Sequence, residues 1–100
     1  MDINKTKSGN ELNVKVAGRL DTNTAPELEQ AIIAEVDGLM AITLDLADLD
    51  YISSAGLRVV LMLHKTMASK KGTLTIKHPK EEVMEVFDMT GFSSFLNIEE

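Results

Sequence analysis

The chain contains 100 residues, 44% of them hydrophobic, which suffices for one core, and we predict a single domain over residues 1–100. Its 16 acidic and 10 basic side chains give a formal net charge of −6, which repels phosphate backbones and anionic lipids, so we expect neither nucleic-acid nor membrane binding. The absence of cysteine excludes disulfides and thiolate metal sites, and the polar start "MDINKTKSGN" lacks the apolar core of a signal peptide, so we expect a cytoplasmic protein without a cofactor.

The first half of the chain predicts a hairpin, a helix and a strand. The runs "MDINKTK" and "ELNVKVA" are typical of strands, and Gly9 with Asn10 offers a tight turn between them, which predicts an antiparallel pair. Thr24 and Glu27 have the spacing of a capping box and predict a helix that ends at Gly38. We expect its inner face to hold Leu28, Ile32 and Val36. The run "AITLDL" is then a strand.

The second half predicts two more helices, each followed by a strand. The segment "SAGLRVVLMLHKTMASKKG" predicts a helix that begins at Ala55 and ends at Gly72. Helical spacing predicts that its buried residues are Leu57, Val60, Leu61, His64 and Ala68. Val59 and Met62 should then lie on the solvent-facing flank with Arg58 and Lys65. The strand "TLTI", the helix "PKEEVMEVFDMTG" with Gly91 as its stop, and the short strand "SFLNI" complete the chain.

The predicted element order is β-β-α-β-α-β-α-β. Strands that alternate with helices favour parallel pairing, and right-handed crossovers place all helices on one side of the sheet. We therefore predict an α/β fold with a mixed sheet of sequential strands and helices packed on one side.

Two polar loops follow neighbouring strands of this predicted sheet, "GRLDTNTA" and "DLDYISSAG". The carboxyl ends of parallel strands collect ligands and partners, so these loops form the candidate site. Its predicted members are Asp21, Thr22, Asn23, Thr24, Ser53 and Ser54.

Ser54 is expected to be the N-cap of the helix that begins at Ala55, and two roles fit this position. The first is purely structural capping, which is worth ~1 kcal/mol. The second is phosphorylation, because a phosphate there would lie over free backbone N–H groups. The presence of a glycine at position 56, inside the predicted helix, has two explanations. One is close approach of a partner's backbone, and the other is tight packing against the sheet.

A hydrolase function is disfavoured because Ser54 has no expected base. His64 lies ten residues along the same helix, about 15 Å away by helical rise, and nothing in the sequence brings His78 to Ser54. The chain also lacks a Gly-x-Ser-x-Gly elbow, a phosphate-binding glycine loop and paired-histidine metal spacing.

Three segments together resemble the STAS family of bacterial anti-sigma factor antagonists. They are "GRLDTNTAPELE", "LDLADLDYISSAGLRVVL" and "VFDMTGFSSFLNI", which occur in the family's order. The resemblance implies that Ser54 is the phosphoacceptor and that Asp21 lies near it. Many members have an aspartate immediately before the acceptor, where this chain has Ser53. Two consequences of this departure are open, weaker recognition by a kinase and a second acceptor at Ser53.

The resemblance also implies a non-enzymatic, cytoplasmic switch protein. Its unphosphorylated form would bind an anti-sigma factor that is a serine kinase and thereby release a sigma factor. Phosphorylation would end the interaction, and a serine phosphatase would restore it. We expect the partner to contact Asp21, Thr22, Asn23, Thr24, Ser53, Ser54, Gly56, Arg58 and Met62. The alternative is a STAS interaction subunit of a larger assembly, such as a transporter complex, in which Ser54 only caps its helix.

Overall fold

Five strands form one sheet in the order of the chain, with three α-helices against it, in a computed structural model that describes residues 1–100. The elements are β1 (Asp2–Ser8), β2 (Glu11–Leu20), α1 (Ala25–Ile33), β3 (Ala41–Ile52), α2 (Ser54–Ser69), β4 (Thr73–Lys77), α3 (Glu81–Thr90) and β5 (Asn97–Glu99). Short 3-10 helices occur at Val36–Gly38 and Phe92–Ser94. β1 pairs antiparallel with β2, and all other pairs are parallel, so the predicted order, hairpin and mixed sheet are confirmed.

One face of the sheet carries the core. Alternate residues of β2 and the first half of β3 are buried, namely Leu12, Val14, Val16, Ile42, Leu44 and Leu46, while their neighbours form a polar outer face. α2 packs on β3 and β4, α3 packs on β3, and α1 packs on α2. The predicted placement of the helices on one side of the sheet is confirmed. No helix of this structure combines the length and the apolar character that crossing a membrane would require.

β3 is longer than the predicted strand, which ended at Leu46. β3 continues to Ile52, and its pairing with β2 contains two bulges. Each bulge has one extra residue in β3, which changes the residues of β3 that face the core. At the first bulge, the Asp45 carboxylate accepts a hydrogen bond from the Ala47 N–H at 3.0 Å and so gives that backbone donor a partner. Beyond Leu46 the buried residues are Leu49 and Ile52. Their spacing of three residues differs from the alternation of two by which a strand is predicted from sequence.

The predicted extent of α1 and the predicted inner face of α2 are both wrong. α1 ends at Ile33, and Val36 lies in a separate 3-10 helix, although Leu28 and Ile32 are buried as predicted. The inner face of α2 is Gly56, Leu57, Val59, Val60, Leu63 and Met67. Leu61 and His64 are only half-buried and Ala68 is exposed, whereas Val59 is 4% exposed. The helix is therefore rotated by about one residue from the predicted stripe.

Gly56 belongs to this inner face, at a place where α2 approaches the sheet without room for a side chain. A Cβ atom placed on Gly56 would lie 2.7 Å from Leu20 Cγ and 2.8 Å from Ile52 Cγ1, at the ends of β2 and β3. Of the two explanations for this glycine, the structure supports packing. Gly56 is buried and cannot contact a partner, so its predicted place in a binding surface is wrong.

Replacement of Gly56 by alanine should therefore destabilise the protein. We expect Gly56→Ala to lower the free energy of unfolding by about 1–3 kcal/mol, because overpacking exceeds the gain in helix propensity. Gly38→Ala is the matched control, since no atom lies within 4 Å of its added Cβ, and should change stability by less than about 0.5 kcal/mol. Urea denaturation measures both. Equal stabilities of the two variants would contradict the close contact.

Candidate functional site

The ends of β2 and β3 lie side by side, which brings the two predicted loops together. Leu20 pairs with Ile52, and the Ser53 N–H donates to the Leu20 carbonyl at 2.9 Å. The loop after β2 consists of residues 21–24, and the predicted loop "DLDYISSAG" is reduced to Ser53 alone, because β3 reaches Ile52 and α2 begins at Ser54. The predicted proximity of the two segments is confirmed.

Ser53, and not Ser54, is the N-cap of α2. Its backbone is extended, with φ −99° and ψ 178°, and its hydroxyl accepts a hydrogen bond from the Gly56 N–H at 3.4 Å. Ser54 is the first helical residue and is exposed. The predicted cap is wrong by one residue because the pairing of β3 with β2 holds Ser53 in extended backbone. Ser54 is therefore the serine whose hydroxyl is not engaged in capping.

Asp21 closes the loop that precedes α1. Its carboxylate accepts hydrogen bonds from the N–H groups of Asn23 at 3.0 Å and Thr24 at 3.1 Å, and its carbonyl accepts one from Ala25 at 2.8 Å. The Thr24 N–H is the main reason that the pKa of Asp21 is lowered, with smaller contributions from Asn23 and from the charge of Arg19. Asp21 thus remains anionic while it orders the loop beside Ser54.

The predicted capping box at Thr24 does not form. The Thr24 hydroxyl lies 2.7 Å from the Arg19 carbonyl, to which it donates, and accepts from the Asp21 N–H at 2.8 Å. Thr24 occupies the N-cap position of α1 without a side-chain cap bond. The side chain that accepts hydrogen bonds from backbone N–H groups ahead of α1 is the Asp21 carboxylate. Thr22 and Asn23 are exposed at the tip of the loop.

A shallow depression joins this loop to the first two turns of α2. Thr22, Ala25, Pro26, Glu29, Ala55, Arg58 and Val59 line it. A second depression continues along α2 between Arg58, Leu61, Met62, Lys65 and Thr66. Arg58 is exposed and belongs to both, whereas Met62 is half-buried and packs partly against the core. The two depressions share Arg58 and form a continuous strip that includes Ala55, the residue after Ser54, and we call it the α2 strip.

Sequence reasoning missed several residues of this region. Pro26, Glu29 and Ala55 line the α2 strip, and only the packing of α1 against α2 brings them there. On β3, Tyr51 is 40% exposed, and the Arg19 guanidinium lies 4.2 Å from the centre of its ring. Tyr51 is visible in the sequence as an aromatic residue three positions before Ser54. It was not predicted as part of the site because it fell in a predicted loop, whereas the structure places it in β3.

Neither histidine is placed to activate Ser54. His64 lies in the middle of α2, where its ring packs against that of Phe95 at an interplanar angle of 49°, with centroids 4.9 Å apart. His78 follows β4, and its backbone N–H donates to the Glu99 carbonyl in β5. Both contacts are remote from the start of α2. The arrangement offers a free hydroxyl without a neighbouring histidine, which suits a residue that is modified by another protein.

The model of the STAS domain matches residues 2–100 of this chain. The chain belongs to the STAS family. A Bordetella bronchiseptica relative that carries the name of an anti-sigma factor antagonist, BtrV, is 43% identical over 82 residues, which cover 81% of this chain and 71% of that protein.

Solved structures of such antagonists share the fold. An anti-sigma factor antagonist from Thermotoga maritima superposes with a TM-score of 0.92 at 21% identity, over 98% of this chain and 86% of that chain. The antagonist SpoIIAA in its unphosphorylated form gives a TM-score of 0.86 at 16% identity, over 97% and 87% of the two chains. The phosphorylated form of the Bacillus SpoIIAA gives 0.79 at 15% identity, over 97% and 90%.

Replacement of each serine by alanine tests which of the two caps α2. We expect Ser53→Ala to lower the free energy of unfolding by about 0.5–2 kcal/mol, because the bond to the Gly56 N–H is lost. The matched Ser54→Ala should change it by less than about 0.5 kcal/mol, since an exposed first-turn residue caps nothing. Thermal and urea unfolding of both variants measure the difference. A larger loss at Ser54 would show that the cap is misassigned.

Proposed function

We propose that this protein is a cytoplasmic anti-sigma factor antagonist whose binding is switched off by phosphorylation of Ser54. The observation that carries the proposal is that Ser54 is exposed and is not the capping residue of α2, whose capping bond is made by Ser53. The name of the Bordetella relative supports the function, and the SpoIIAA structures show that a protein of this fold occurs with and without a phosphate.

The unphosphorylated protein would bind its partner through the loop of residues 21–24 and the α2 strip. Thr22 and Asn23 offer polar groups at the loop tip, Arg58 offers a cation, and Met62 offers an adaptable apolar edge. Asp21 and Thr24 would act mainly by holding the loop in shape, because their side chains are engaged in its hydrogen bonds. The partner is an anti-sigma factor, and its capture releases a sigma factor.

A phosphate on Ser54 would oppose this binding by charge and by hydration. It adds about −1.5 to −2 charges at neutral pH. The site already carries the anionic Asp21, and the whole chain has a net charge of −6. Burial of the phosphate against a partner would cost a few kcal/mol in desolvation and like-charge repulsion, and a loss of about 3 kcal/mol weakens affinity more than a hundredfold.

The chemistry of the switch would come from the partners. The anti-sigma factor would be a serine kinase that transfers a phosphoryl group from ATP with Mg²⁺, and a serine phosphatase would remove it. This chain would supply only the acceptor oxygen, because no histidine lies beside Ser54 and the Asp21 carboxylate is engaged by the backbone of its own loop. Relatives that carry the name of antagonists favour this function over a subunit of a transporter complex.

Phosphorylation should occur on one serine. With its cognate kinase and Mg-ATP, the protein should gain a single phosphate, which peptide mass spectrometry should assign to Ser54. Ser54→Ala should abolish the gain. Ser53→Ala should retain it, with a rate that reflects only the weakened cap. Modification of Ser53 alone, or undiminished modification of Ser54→Ala, would refute the assignment.

Truncation of Met62 should weaken partner binding. We expect Met62→Ala to lower affinity for the anti-sigma factor by about tenfold, the loss of one apolar interface contact. Met89→Ala is the control, because Met89 is 85% exposed on α3, away from the α2 strip. Since Met62 also packs partly against the core, calorimetric titration is performed well below the unfolding temperature of both variants. Equal affinities of the two variants would place the interface elsewhere.

A further inference from the structure

We propose that Arg58 binds the phosphate on Ser54 within the same helix, so that phosphorylation both adds charge and withdraws a cation from the binding surface. This inference rests on the proposed modification of Ser54 and assigns Arg58 as the residue that binds the resulting phosphate. The juxtaposition that carries it is an exposed serine at the first position of α2 and an exposed arginine four residues later.

The spacing and direction of the pair favour contact. Side chains four residues apart lie on the same face of a helix, with Cβ atoms about 5–6 Å apart. An anion that precedes a cation by four residues is the more favourable order of such a pair. Long helical side chains also lean towards the N-terminus of their helix. Arg58 lines a depression together with Thr22 and with Ala55, the residue that follows Ser54.

Arg58 is available for this contact in the unmodified protein. The structure contains five ion pairs, and Arg58 is in none of them. The other arginine, Arg19, is already placed near Asp21 and over the Tyr51 ring. Glu29 lines the depression with Arg58, and it is the competing anion across the boundary between α1 and α2. Glu29 is not within ion-pair distance of Arg58, so a doubly charged phosphate is the stronger attraction.

The chemistry of the two groups is complementary. A guanidinium offers planar N–H donors that can bind two phosphate oxygens at once, whereas an ammonium binds as a point charge. The residue that precedes the phosphate, Ser53, is neutral, and its hydroxyl is turned to the Gly56 N–H. No carboxylate therefore lies directly beside the phosphate in sequence. In the phosphorylated protein, Arg58 is held by the phosphate and no longer offers its charge to an acidic group of the partner.

The test is the acid–base titration of the phosphate itself, followed by ³¹P NMR in protein that carries phosphoserine at position 54 by genetic incorporation. Because Arg58 stabilises the dianion, we expect Arg58→Gln to raise the midpoint of this titration by about 0.2–0.4 pH unit, the size of a helical ion pair. Arg58→Lys should restore part of the difference. Circular dichroism checks that each variant is folded.

Lys65→Gln is the matched control. It removes the same charge from the same helix, but it lies eleven residues from Ser54, about 16 Å by helical rise. We expect its titration midpoint to equal that of the parent phosphoprotein. Identical midpoints for the parent and Arg58→Gln would overturn the inference, as would an equal shift in Lys65→Gln, which would indicate a general effect of charge.

This experiment is independent of the proposed function because it uses neither kinase nor partner. A shifted midpoint in Arg58→Gln together with equal partner affinities of phosphorylated and unmodified protein would uphold the intramolecular contact and refute the antagonist switch. Unchanged midpoints together with a large loss of affinity on phosphorylation would refute the role of Arg58 and uphold the switch.

Discussion

The contact of Gly56 with Leu20 and Ile52 is the constraint on which the site depends. It presses the first turn of α2 onto the ends of β2 and β3, with no room for a side chain. The same two strand ends are joined by the hydrogen bond from the Ser53 N–H to the Leu20 carbonyl. Together these contacts fix where the strand stops and the helix starts, and they leave Ser54 exposed between the buried residues Ile52 and Gly56.

This geometry gives the two adjacent serines different tasks. Ser53 faces back into the first turn and caps it, whereas Ser54 faces solvent beside an ordered, anionic loop. Modification of Ser54 can therefore change the charge of the surface without removing the cap of the helix.

The sequence was sufficient for the fold but not for the assignment of the two serines. The hairpin, the strand order and the end of α3 at Gly91, which has φ 82°, follow from local patterns that the structure keeps. β3 was predicted too short because its bulges replace alternation by a spacing of three. Ser53 and Ser54 are equally suitable caps in sequence, and only the pairing between β2 and β3 decides between them.

The most direct test of the account is a calorimetric comparison of homogeneous phosphoprotein with unmodified protein against the cognate anti-sigma factor. We predict that phosphoserine at position 54 weakens binding at least about a hundredfold, as a cost of about 3 kcal/mol requires. Phosphoserine at position 69, an exposed site at the far end of the same helix, should leave the affinity within about threefold of the unmodified protein. Equal affinities of the unmodified protein and the Ser54 phosphoprotein would contradict the switch.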